Sequence, residues 1–76
     1  MKIKELTMNL AGKKVVFTIT RPYEGDGFSV LYGDEVICDG YRSGKWFYFL
    51  SMSEKVKLFE DIFTAEVRKK LNLLFK

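Results

Sequence analysis

Apolar and polar positions alternate through the first two thirds of the chain, then change period. Leu6, Met8 and Leu10 point one way, and Glu5, Thr7 and Asn9 the other. After a turn signal at Gly12, Val15, Phe17 and Ile19 oppose Val16, Thr18 and Thr20, with the β-branched density that strands favour. Pro22 ends that ladder because it has no N–H to donate. A polar loop, RPYEGDG, leads into Phe28, Val30 and Tyr32 on one face of a third run. Gly33-Asp34 is a two-residue turn signal of type II′. The next run sets Val36 and Cys38 against Ile37, Asp39 and Tyr41, and Ser43-Gly44 is another tight turn before KWFYFL. Loops this short exclude parallel crossovers. The pattern therefore predicts an antiparallel meander of four or five strands over roughly residues 2–50.

From 53 to 75 the spacing is helical. Val56, Phe59 and Phe63 form a stripe that Leu58 and Ile62 widen and that Val67, Leu71 and Leu74 continue. Ser51 with Glu54 has capping-box spacing, and Ser53 competes as the cap. An unbroken helix from Ser53 to Leu74 would be roughly 33 Å long, against roughly 20–27 Å for the strands. The overhang predicts either a break, expected at Thr64 acting as a second N-cap, or packing on a partner. The expected fold is a single α+β domain spanning residues 1–76, with one or two C-terminal helices on one face of the sheet.

One helical layer covers one face. Without a bulge, the covered set is Leu6, Met8, Leu10, Val15, Phe17, Ile19, Phe28, Val30, Tyr32, Val36, Cys38, Trp46, Tyr48 and Leu50. A one-residue slip would exchange the two sets. The opposite face then carries Val16, Leu31, Ile37, Tyr41, Phe47 and Phe49, a large apolar area for a small domain. Such patches mark interaction sites unless the sheet curls or another segment folds over them.

Composition sharpens this picture modestly. The chain has 76 residues, of which 16% are aromatic, enough for a rich core in a domain of this size. Its net charge of +3 is spread along the chain, and the run Arg68-Lys69-Lys70 reads as a solvated helix face. A lone cysteine, Cys38, excludes an intramolecular disulfide. No apolar run has the length of a signal peptide or a membrane span, so a cytoplasmic location is expected.

Catalytic vocabulary is thin. The chain has no histidine, so the commonest general base and metal ligand is missing, and nothing is placed to activate Cys38. Glu24, Asp26, Asp34 and Glu35 read as turn residues, and Gly25 and Gly27 precede a strand where a phosphate loop would need a helix. No enzyme activity, cofactor or metal is expected. The expectation is a binding module of the adaptor or inhibitor kind, such as phages and mobile elements encode. It would act on another protein or on itself as a homodimer, through Tyr23, Ile37, Tyr41, Arg42, Lys45, Phe47 and Phe49. These residues include the aromatic and arginine types enriched at interface hot spots. The alternative is a single-stranded nucleic-acid-binding domain, since RSGKWFYF sets basic residues beside aromatics that could stack on bases. An RNA-recognition motif would need a helix between its first two strands, and none is predicted.

Overall fold

The computed structural model describes residues 1–22 and 24–76. Five strands come first: β1 (Lys2–Leu10), β2 (Lys13–Arg21), β3 (Gly27–Tyr32), β4 (Glu35–Ser43) and β5 (Trp46–Met52). Two helices follow, α1 (Glu54–Lys57) and α2 (Glu60–Leu74). The strands form one antiparallel sheet in sequence order, the expected α+β meander, with β1 and β5 at its edges. Two-residue turns set its register. Ala11 (φ 52°) and Gly12 (φ 78°) are both left-handed, as a type I′ turn requires. At the β4–β5 turn only Gly44 is left-handed (φ 61°), which fits type II′ and pairs Ser43 with Trp46.

The helix stripe and one sheet face close the core. Phe63, Val67, Leu71 and Leu74 recur at helical spacing and are buried. They pack over Leu6, Met8, Phe17, Ile19 and Val30, with the Phe63 ring edge-on to Phe17 at 5.4 Å. Burying an aromatic of this size contributes about 2–3 kcal/mol. Ser53, not Ser51, caps α1, accepting a bond from the Lys55 amide at 3.2 Å. The Ser51 hydroxyl instead donates to Asp39 within the sheet, at 2.8 Å.

The helical region does break, but at Leu58 and Phe59 and not at Thr64. The Thr64 hydroxyl turns back onto the Glu60 carbonyl at 2.9 Å, which keeps it inside α2. A short α1 turns the chain so that Val56 seals one end of the core before α2 runs along the sheet.

The expected core face is correct through Val30 and needs correction beyond it. A bulge in the β3–β4 pairing leaves Ile37 without a partner residue, so Ile37 and Cys38 both turn inward while Val36 is exposed. Tyr32 lies at the rim against Phe17, half in solvent. On β5 the phase is opposite to expectation. Phe47 is buried and Phe49 packs on the core, while Trp46, Tyr48 and Leu50 are exposed. The reason is the turn: Ser43 shares a face with Tyr41, so its partner Trp46 must share it too. A second bulge places Leu50 between the partners of Asp39 and Gly40.

Gly40 is buried opposite Phe49, and the Phe28 ring lies against its backbone. A Cβ there would stand 2.7 Å from Phe28 Cζ and collide with the Tyr48 carbonyl. Gly40→Ala is therefore expected to lower unfolding free energy by about 2 kcal/mol, read from urea titrations. Ala11 carries a left-handed strain that asparagine tolerates better, so Ala11→Asn should raise stability by about 0.5–1 kcal/mol in the same assay.

Candidate interaction surface

The helix-free face of the sheet carries an aromatic cluster at its β4–β5 end. Tyr41 and Tyr48 are cross-strand partners whose rings stack at 5.3 Å and 23°. Beside them stand Trp46, 70% exposed, and Leu50, 69% exposed. Lys45 projects from the adjoining turn, and the Ser51–Asp39 bond pins the far end of the cluster. Towards β1 the face becomes mixed: Ile3, Thr7, Val16 and Thr18 occupy paired positions with Glu5 and Lys14 among them. Charge is sparse around the cluster, so planar and apolar contact dominates what it offers a partner.

Along the outer edge of β5 runs a cleft of about 760 Å³ between that strand and α2. Residues from Phe47 to Met52 form one wall, and Glu60, Asp61, Thr64 and Arg68 the other. The Arg68 guanidinium sits 5.0 Å from the centre of the half-buried Phe49 ring. A smaller apolar cleft of about 200 Å³ opens at the α1 end, lined by Leu10, Val15, Tyr32 and Phe59.

The residues expected to form the partner surface divide three ways. Tyr41 and Lys45 are exposed together on the β4–β5 hairpin. Ile37 and Phe47 are buried and Phe49 is packed against the core, so these three leave the open face, for the bulge and turn reasons given above. Tyr23 lies outside the described residues. Arg42 is half-exposed and directed inward: it donates to the Phe75 carbonyl at 3.4 Å and pairs with Asp26 at 3.5 Å. Its neighbour Arg21 donates to the Leu74 carbonyl at 3.0 Å and lies 3.9 Å over the Phe75 ring. Together the two guanidiniums brace the C-terminal end of α2, where the helix dipole favours positive charge. Trp46, Tyr48 and Leu50 are the surface residues that strand alternation alone misassigns. The pairing of Ser43 with Trp46 across a turn at Gly44-Lys45, one residue on from the expected Ser43-Gly44, places Trp46 and Tyr48, and the bulge sets the position of Leu50.

The chain matches no family model, no curated protein and no solved structure. Fold and surface define its class only as a small α+β domain with one helix-covered and one open sheet face.

Cys38 is fully buried, and its thiol is pushed up to about 12, first by burial and then by the Asp39 carboxylate. It is a poor nucleophile at neutral pH. Its folded value lies above the ordinary 9.0, so the unfolded chain loses this proton first as pH rises. Folding is then penalised progressively from about pH 9 to about pH 12. The stability of the natural chain should fall across that window more steeply than that of Cys38→Ala, as followed by urea unfolding.

Proposed function

We propose that the chain is a non-enzymatic binding module of the adaptor or inhibitor kind that acts in the cytoplasm. It grips another protein with Tyr41, Lys45, Trp46, Tyr48 and Leu50. The observation that carries this reading is the exposure of Trp46 and Leu50 on either side of a stacked tyrosine pair. A domain that fills its core with Phe17, Phe28, Phe47 and Phe63 has no folding need for a further aromatic group in solvent. Trp and Tyr are the residue types that most often dominate binding free energy, and sparse local charge suits a protein face better than a polyanion. Phe47 and Phe49 no longer support base stacking, although Tyr41, Tyr48 and Lys45 keep that chemistry present.

The test uses the full chain and a Trp46→Ser/Tyr48→Ser double variant, immobilised in parallel and exposed to lysate of the source cell. A protein other than the chain itself, retained by the natural chain and weakened by about 10- to 100-fold in the variant, supports the reading. Equal retention by both overturns it. So does low-salt binding of single-stranded oligonucleotides that the variant loses while no protein is retained, since that result transfers the surface to nucleic acid.

A further inference from the structure

We infer that the free edge of β5 pairs antiparallel with β5 of a second copy, about a two-fold axis passing beside Tyr48. Among the described residues, no strand neighbours the outer edge of β5. In a two-residue hairpin the flanking residues, here Ser43 and Trp46, exchange main-chain bonds. The alternation that follows turns the N–H and C=O groups of Phe47 and Phe49 outward, towards the edge. Beside them lies the 760 Å³ cleft, because α2 packs over β1 and β2 and leaves this side open.

The sequence along this edge is complementary to itself. Trp46-Phe47-Tyr48-Phe49-Leu50 carries no charge and is nearly symmetric about Tyr48. Pairing about that centre sets Tyr48 against Tyr48 of the second copy on the open face. It also sets Trp46 of each copy against Leu50 of the other, and these are the most exposed large apolar residues on the sheet, at 70% and 69%. On the helix side, Phe47 meets Phe49 of the second copy and covers a ring that is only half buried in one chain.

Charge agrees with the same register. Lys45 arrives just past Leu50 of the second copy, towards the end of the cleft where Glu60 and Asp61 stand. Lys57, also at that end, is already paired with Glu54 at 3.2 Å. The bulge at Leu50 ends the usable ladder, so the pair gains about four main-chain bonds. A contact confined to five residues of one strand on each side belongs with the smaller interfaces, those of weak and transient association. A reversible dimer with a micromolar midpoint is expected rather than an obligate one.

On a two-fold axis a residue faces itself, which supplies the test. Tyr48→Lys and Tyr48→Glu each place like charges together, and a mixture of the two places opposite charges together. Sedimentation equilibrium of the purified full chain, over micromolar to millimolar concentration, should show dimerisation weakened about tenfold or more in either variant alone. An equimolar mixture should recover it as the heterodimer. Far-UV circular dichroism checks that the variants fold. In the natural chain, hydrogen exchange at the Phe47 and Phe49 amides should slow as concentration rises, a readout that needs no variant. A chain that stays monomeric at millimolar concentration overturns the inference. So does a dimer indifferent to charge at residue 48, or one whose Phe47 and Phe49 amides gain no protection, which is the result for open faces stacking on each other. No outside partner is present in these measurements, so their result is separate from that of the capture experiment.

Discussion

The contact between the Phe28 ring and the bare backbone of Gly40 organises the second half of the sheet. Only a residue without a side chain lets β3 place an aromatic ring so close to β4 at that point. With the ring held there, Phe47 and Phe49 of β5 meet it edge-on at 6.3 Å and 5.5 Å. Phe47 in turn meets Phe75 at 5.5 Å, which ties the end of α2 to the same cluster. Four aromatic rings thus join β3 and β5, across Gly40 of β4, to the C-cap of α2 through geometry that aromatic pairs favour. Arg21 and Arg42 close the cluster from outside by stacking near Phe75 and bonding the last carbonyls of the helix.

That arrangement commits one side of β5 to the core and leaves the other side to solvent. Phe47 and Phe49 are consumed by folding, and Trp46, Tyr48 and Leu50 are what remains. The surface chemistry of the domain is therefore a consequence of its packing. Moving β5 by one residue would bury the tryptophan and expose two phenylalanines, at the cost of the Phe28 contacts. Arg42 makes the same point from the opposite direction. In sequence it is a basic residue beside aromatics, yet on β4 it falls on the helix side, where Phe75 and Asp26 occupy its guanidinium.

The break between the helices does not come from a mismatch of lengths, since the nine-residue strands span about 30 Å, as an unbroken helix over 54–74 would. The chain instead makes one turn of α1 that buries Val56 before α2 begins. Thr64 carries a side chain suited to capping. Inside an established helix, however, its hydroxyl finds the carbonyls of Glu60 and Asp61. The break thus falls where no side chain caps the start of α2, and Phe63, one turn on, meets Phe17.

Sequence by itself determined the elements of this protein, their order and most of the core. Period-two alternation, three short turns and a helical stripe each rest on neighbours close along the chain, and local rules read them well. The same rules placed Leu6, Phe17, Ile19 and Val30 inside, and Tyr41 and Lys45 outside. Tertiary structure alone decided the two bulges, and with them the burial of Ile37 and the position of Leu50. A bulge is chosen by how side chains from distant strands fill a shared space, and no local pattern records that choice. The facing of β5 lay between these extremes. Its turn was legible, but alternation weighs Trp46-Tyr48-Leu50 and Phe47-Phe49 almost equally. The turn decides between them through the Ser43–Trp46 pairing, and Phe28, Gly40 and Phe75, which meet only after the chain has folded, pack around the pair it turns inward.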